Sequence, residues 1–202
     1  MIAALAALAG YGALLAAAFG VRTLLHRRTT GTSGWLRPPT RAARAGDGLF
    51  TVGVAATLAA PVLQLTDTLD PLAALDFVVV HIAGAGLLAV GSALALVAQA
   101  QMGPAWRAGI DRAARDPLVQ TGLFHLVRNP FYLGIIAATV GVAGLTPNAA
   151  ALAGTVALVA GCQIDVRLVE EPNLRAAHGA RYESYAASTP RFVPNPFRRP
   201  AR

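Results

Sequence analysis

Apolar and polar residues alternate along the chain in long blocks, and five apolar runs stand out. Met1 to Leu25 is rich in Ala, Leu and Gly, with Arg22 its only charge. At about 1.5 Å per residue it can cross a hydrocarbon core of about 30 Å. Its small residues suit close helix packing, which gives Tyr11 a packing or interhelical hydrogen-bonding role. His26 to Asp47, rich in Arg, Gly, Thr and Pro, is predicted to be a loop with Trp35 as an interface anchor. Leu49 to Leu65 is a shorter second run in which Pro61 should place a kink. Asp67, Asp70 and Pro71 mark a turn. A third run follows from Asp76, or from Asp70 if Pro71 opens the helix, through Phe77 to Ala98. His81, near its acidic-loop end, sits on the side opposite the Arg-rich loops and has no sequence-near partner, which disfavours a relay role. Gln99 to Arg128 turns polar again, with Trp106, Arg107, Asp111, Arg112, Arg115 and Asp116, and can lie along a membrane surface. Phe131 to Leu145 is the fourth run, Thr146-Pro147-Asn148 a tight break, and Ala149 to Val169 the fifth. The last two form a helical hairpin, and the fourth, about 22 Å long as a helix, is expected to bury part of its surface against its hairpin partner. The pattern predicts an all-α integral membrane fold with about five transmembrane helices, a cytoplasmic C-terminal helix and an extended tail.

Composition agrees with a bilayer setting. Of 202 residues, 55% are hydrophobic and only 13% charged, and the mean hydropathy is +0.52, too apolar for an ordinary soluble domain. The net charge of +7 comes from 17 basic residues, all of them Arg. In a soluble protein such a balance would point to nucleic acid, but here the Arg residues fall between apolar runs, which reads as membrane topology and attraction to anionic lipid, with no nucleic acid expected. Six lie between Arg22 and Arg44, four between Arg107 and Arg128, and seven from Arg167 onward. The connections Thr66 to Leu75 and Thr146 to Asn148 contain none. By the positive-inside rule the N-terminus is outside and the C-terminus cytoplasmic. The first run lacks a charged leader and is long enough to span, so it is expected to remain. The single Cys162 excludes an intrachain disulfide, a CxxC pair or a Cys-based zinc site, and no metal is expected.

Candidate chemistry gathers at two places. Arg128-Asn129-Pro130-Phe131-Tyr132-Leu133-Gly134 lies where the basic segment turns apolar. Asn129 is a favoured N-cap, Pro130 suits the first helical position, and Gly134 leaves room beside the backbone. The helix start, with Arg128 beside it, would form a small anion site. A mere cap, with an Arg ahead of the apolar run as a membrane anchor, is the plainer reading. The fifth run ends in Glu170-Glu171-Pro172, and Pro172 should break the preceding helix ladder. In a restarted helix, Glu171, Leu174, His178, Arg181 or Tyr182, and Tyr185 would share a face. That face is either solvated or turned toward Arg128. Glu170 and Glu171 read equally as helix-end charges, but there they oppose the dipole and need compensation. From Pro190 to Pro196 the tail is extended and cannot span.

These residues carry a resemblance. Arg128-Asn129-Pro130-x-Tyr132-x-Gly134, a hairpin, Glu170-Glu171-Pro172-x-Leu174, Gly179-x-x-Tyr182-x-x-Tyr185 and Arg191-x-x-Pro194 resemble the isoprenylcysteine carboxyl methyltransferase and phospholipid methyltransferase family over about Gln101 to Pro194. Gln101-x-Gly103-x-x-Trp106-Arg107-x-Gly109 resembles its lead-in. The resemblance implies an integral membrane enzyme that binds S-adenosylmethionine on its cytoplasmic side, releases S-adenosylhomocysteine, and methylates a lipophilic or lipidated acceptor entering from the membrane lipids. It divides the chain into three N-terminal helices with an Arg-rich loop over 1–100, and a catalytic region over 101–202. No Gly-rich dinucleotide fingerprint follows a strand, in keeping with that non-Rossmann site. Carried over, Asn129, Pro130, Tyr132, Gly134, Glu170, Glu171 and Tyr182 would bind the cofactor, Glu171, Arg191 and Arg128 would serve catalysis, and His125, His178 and Tyr185 would meet the substrate. Asn129 stands where the family commonly has His. Gly122-Leu123-Phe124-His125 replaces Gly-Pro-Tyr-Arg, so His125 either takes over an Arg contact or is an unrelated surface residue.

Methyl transfer from a sulfonium is an in-line displacement in which placement and exclusion of water supply much of the rate. Carboxylate and aromatic faces such as Glu171, Tyr132 and Tyr182 attract the sulfonium. An isoprenylcysteine-like carboxylate acceptor could be oriented by Arg191 or Arg128, whereas an amine or thiol needs a base such as Glu170 or His178. The sequence leaves these open, beside a phospholipid amine or small-thiol methyltransferase, a nicotinamide-dependent reductase, and a non-catalytic protein on the same scaffold. Transport is disfavoured because the spans hold almost no charge away from their ends.

Overall fold

The computed structural model describes residues 1–103, 106–107, 109 and 117–193. Asp111, Arg112, Arg115 and Asp116 of the polar segment, and Pro194, Asn195 and Pro196 of the tail, lie outside the described residues. Within these the fold is all-α. Four helices are long and apolar enough to cross a membrane: α1 (Ile2–Thr30), α2 (Arg41–Leu65), α3 (Val78–Met102) and α6 (Ala149–His178). Between the last two lie a single turn, α4 (Leu123–Leu126), and the shorter apolar α5 (Pro130–Leu145); α7 (Ala180–Ser188) follows. The all-α membrane architecture expected from the hydropathy pattern is therefore present.

Several boundaries differ from the sequence reading. The loop expected over His26 to Asp47 shrinks to 31–40. Helix α1 runs on until Gly31 takes the left-handed conformation, with φ 77°. Thr40 Oγ1 accepts from the Ala43 N–H at 3.1 Å to open α2. Arg is a good helix former, and nothing between the apolar runs and these two residues breaks the ladder. Helix α3 starts at Val78 instead of Asp70 or Asp76, because the Leu72 N–H is drawn to Pro147 O at 2.6 Å, tying the two Arg-free connections together. His81 does have a near partner, since its Nε2 lies 3.0 Å from Asp76 Oδ1. Pro172 does not interrupt the fifth run either. A π-helical turn over Asp165–Glu170 widens the backbone just ahead of it, and the helix continues to His178. A second π turn, Ala16–Val21 in α1, exposes Ala18 O to Gln99 Nε2 at 3.0 Å.

Helices α3 and α5 form one intimate pair, and α2 and α6 another, with α1 laid across both. The hairpin of α5 and α6 is joined tightly, yet α5 buries itself mainly against α3 and not against its hairpin partner. Backbone-to-backbone approach explains the preference. A Cβ at Gly134 would lie 2.5 Å from Ala95 N, and one at Gly84 2.8 Å from Gly141 O. In the second pair a Cβ at Gly53 would lie 2.5 Å from Leu158 N, and one at Gly161 2.6 Å from Phe50 N. Packing of this kind, through small residues and van der Waals contact, is what holds helices together where lipid supplies no hydrophobic drive. It also explains a 16-residue apolar helix with nine buried residues: α5 is the centre of the bundle. Tyr11 reaches it from α1, its hydroxyl 3.0 Å from Thr139 Oγ1, as an interhelical hydrogen bond.

Candidate active site

A cavity of about 1100 Å³ opens at the Arg-bearing end of the bundle. Its apolar side is built by Leu15, Phe19, Phe50, Val54 and Phe131 of α1, α2 and α5. Phe19 meets Phe131 edge-on at 6.3 Å, and Phe50 meets Tyr132 at 6.5 Å. The polar side carries Asp47 from α2, Tyr132 from α5, and Asp165 and Glu170 from the two ends of the π turn in α6. Leu174, His178, Tyr182 and Tyr185 close the third side. Of the shared face expected in the C-terminal helix, it is thus Tyr182, and not the exposed Arg181, that turns inward. Gly179, with φ 52°, separates α6 from α7 and swings the two tyrosines under the cavity. Both tryptophans, Trp35 and Trp106, also line it. Trp106 is held by Arg22, stacked 5.3 Å from its ring, and by His26 at 5.6 Å.

Behind this wall Glu171, 2% exposed, organises the end of the chain. Its Oε1 accepts from Arg128 Nη2 at 2.8 Å and Arg191 Nε at 2.7 Å, and its Oε2 from Arg191 Nη2 at 2.8 Å. Such charge-assisted, bidentate contacts are the strongest class of hydrogen bond available to a carboxylate. Hydrogen bonding to Glu171 raises the Arg191 guanidinium above its ordinary value. Arg128 Nη1 donates to Ala186 O at 2.8 Å and Thr189 O at 2.6 Å. The backbones then zip together: Arg128 N–H to Pro190 O at 2.8 Å and Asn129 N–H to Arg191 O at 3.1 Å. Asn129 occupies the N-cap position but makes no side-chain cap bond; its Nδ2 donates instead to Arg191 O at 3.1 Å. The segment 189–191 is a strap that fastens the C-terminal part to the start of α5.

The predicted residues therefore separate into groups. Asn129, Pro130, Tyr132, Glu170, Tyr182, His178, Tyr185 and Arg128 line the cavity. Glu171 and Arg191 form the clamp behind it. Gly134 faces Ala95 and Gly91 of α3, where its role is helix packing, away from the cavity lining. His125 is exposed on α4, the surface alternative left open by the sequence, while its neighbour Phe124 lines the cavity. Gln101 of the lead-in holds this turn, its Oε1 accepting from the Leu123 N–H at 2.8 Å. Tyr132 donates its hydroxyl to Glu170 Oε1 at 2.6 Å. Tyr185 donates to Phe124 O at 2.5 Å, and burial raises its phenol above the ordinary range. Burial, followed by the negative charge of Glu171, also raises Tyr182. Tyr185→Phe is expected to cost about 1–2 kcal/mol in a denaturation measurement by leaving a buried carbonyl unpaired. The sequence reading missed Asp47 and Asp165. The signal was present: Asp165 is a lone acid inside an apolar run, the kind of residue that marks a site in a membrane helix.

Fold and site together define a helical integral membrane protein with a large cavity at one membrane face, part apolar and part acidic. The phospholipid methyltransferase family matches residues 79–181, from the start of α3 to the start of α7. That is half of the chain, and the chain belongs to this family of membrane methyltransferases. Neither the curated proteins nor the solved structures contain a match to it.

Proposed function

We propose that the protein catalyses S-adenosylmethionine-dependent methyl transfer to a lipophilic acceptor at the cytoplasmic membrane face. The observation that carries the reading is the cavity, whose polar and aromatic wall adjoins an apolar side reaching between α1, α2 and α5. Cofactor and acceptor need such different surroundings a bond length apart. The residues present fit the cofactor. Tyr182 is buried, lines the cavity, and has no partner for its hydroxyl among the described residues. Arg128 Nε is likewise a buried donor without an acceptor. Asn129 leaves the first-turn N–H groups of α5 without a side-chain cap, an arrangement that suits an anionic group such as a carboxylate.

When bound, S-adenosylmethionine supplies a methyl group on a positively charged sulfur. Tyr132, Tyr182 and Glu170 would offer that charge π faces and a carboxylate. Glu171 acts at one remove, as a positioning residue that sets Arg128 and Arg191. Closure of the third side by α7 and the strap would exclude water. The Arg-free connections meet at the opposite end of the bundle, which supports the cytoplasmic placement of the cavity and the C-terminus by the positive-inside rule.

Calorimetric titration of the purified protein with S-adenosylhomocysteine and with NADPH tests the reading. Binding of the first alone is expected; a response only to NADPH, or to neither, overturns it. A C-terminal epitope should be protected from protease in intact cells and cut once they are opened.

A further inference from the structure

Arg22 is the only charge in the first apolar run, and it is not placed like an anchor. An Arg that merely anchors a helix end keeps its head in water, and Arg27 and Arg28 are exposed in that way. Arg22 turns back into the bundle. Its guanidinium lies over the face of Trp106 at 5.3 Å, and its Nη2 donates to Gly103 O. The same carbonyl accepts the Trp106 N–H at 3.2 Å, so one cation grips both the indole and the turn by which the chain leaves α3. The register is set one turn earlier on both helices, where Gln99, 2% exposed, donates to Ala18 O in the π turn of α1. Two more neighbours close around the indole. His26 meets it edge-on at 5.6 Å, and a Cβ on Gly34, whose φ is 74°, would lie 3.0 Å from Trp106 Cζ3. Next to it Trp35 packs on Phe19 at 5.9 Å and donates Nε1 to Thr23 Oγ1 at 2.8 Å. Trp106, 3% exposed, therefore makes with Trp35 and Leu36 a cover beside Phe19 and the apolar side of the cavity. The polar wall of Asp165, Glu170 and Tyr182 stands apart from it, on α6 and α7.

We propose that Arg22 is a positioning residue: it locks Trp106 in place as the cover over the apolar side of the cavity, and so sets how tightly a lipophilic ligand is held there. Naming that ligand the methyl acceptor rests on the methyltransferase reading above. Family membership does not assign the role, because the matched residues begin at 79 and leave α1 and the loop 31–40 outside. Two effects favour the arrangement. A cation over an aromatic face is held most strongly where water is excluded, and an indole already pinned on its face and edge has little freedom left to lose when a ligand packs against it. Arg22 itself is not among the residues that line the cavity and acts only through the ring. Tyr132 and Glu170, and likewise Arg128 and Glu171, are held by each other. Cofactor affinity should therefore not follow the state of the cover.

Fluorotryptophan incorporated at the two tryptophans of the chain gives two fluorine resonances, and Trp35→Phe identifies the one that belongs to Trp106. In nanodiscs the wild-type Trp106 resonance should ignore replacement of water by heavy water and should shift when dodecanol is added. Arg22→Gln should make it sensitive to the solvent isotope and weaken dodecanol binding about tenfold, the scale of a desolvated cation–π contact. S-adenosylhomocysteine affinity, read by calorimetry, should change less than about threefold. Every variant sits in the same bilayer, so partition of dodecanol into lipid cancels in the comparison. Arg22→Lys, which keeps a cation for the ring, should restore part of the dodecanol affinity, and Val21→Ala, on the exposed neighbour, should change nothing. Retained thermal unfolding midpoints show that the variants are folded. If Arg22→Gln does not fold, Trp106→Leu removes the cover itself and should show the same loss of dodecanol binding by Trp35 fluorescence. The proposal is overturned if the Trp106 resonance and dodecanol affinity are unchanged in Arg22→Gln, if Trp106→Leu binds dodecanol normally, if Arg22→Lys restores nothing, or if S-adenosylhomocysteine affinity falls in parallel. A wild-type protein that binds dodecanol but not S-adenosylhomocysteine would instead overturn the methyltransferase reading and leave the cover standing.

Discussion

Glu171→Ala is expected to abolish methyl transfer and to destabilise the folded protein by about 3–5 kcal/mol, the cost of leaving buried cations without their carboxylate. Arg128, with a side chain 10% exposed, would be left with backbone carbonyls alone, and Arg191 would lose both of its carboxylate contacts. The strap over 189–191 then keeps its bonds to Arg128 and Asn129 but loses its anchor on α6. Calorimetry with S-adenosylhomocysteine and a chemical denaturation curve measure the two consequences separately. Glu171→Gln should keep more of the stability than the activity, because an amide can accept from one guanidinium but cannot balance two. If Glu171→Ala left cofactor affinity and turnover unchanged, the clamp would have no part in the site.

Gly91→Val should also be damaging, although residue 91 touches no part of the cavity. A Cβ there would fall on Ala138 N and lie 2.6 Å from Gly134 O. Both obstacles are backbone, so no rotamer change relieves the overlap and α3 must move off α5. Overpacking usually costs about 1–3 kcal/mol, more where backbone has to shift, and here α3 is pushed off the helix that carries Tyr132. Loss of a monodisperse peak in size-exclusion chromatography, compared with Val90→Ala on the lipid-facing side of the same helix, checks the expectation. Val90 is exposed, and its truncation should leave the peak unchanged.

Much of this fold was legible because hydropathy and Arg distribution are one-dimensional signals. The apolar runs and the Arg-free turns each follow from spacing along the chain, whereas the inward turn of Leu174, His178, Tyr182 and Tyr185 was left open by the spacing and depends on the bend at Gly179. The misplaced boundaries have a common cause: Pro172 and the Arg-, Gly-, Thr- and Pro-rich stretch His26 to Asp47 follow local propensity in the sequence, whereas a π turn, a cap at Thr40 and tertiary bonds decide where the helices stop. The pairing of α5 with α3 was hidden for a different reason. The glycines of several helices look alike in sequence, and only their mutual register shows which backbones meet. Asp47 and Asp165 illustrate the same limit in the site, since they lie more than a hundred residues apart in the chain and gain meaning only when Gly46 lets one rest against the other's helix. Arg128 and Glu171 were each recognised as candidates, but their direct contact, and the use of Asn129 to bind the tail in place of capping α5, required the third dimension.

The strap has a consequence for how the protein is made. Residues 189–191 leave the ribosome after the five apolar helices described above, so insertion of those helices into the membrane precedes completion of the pocket. Until they arrive, the Arg128 guanidinium has Ala186 O but lacks Thr189 O, and the backbone bonds that tie the chain to the start of α5 are missing. A chain interrupted just before Thr189 would thus be inserted, helical and correctly threaded, yet silent. Competence would be conferred by a segment outside the described apolar helices, and a protease that clips it would switch off an enzyme whose membrane-spanning helices are untouched.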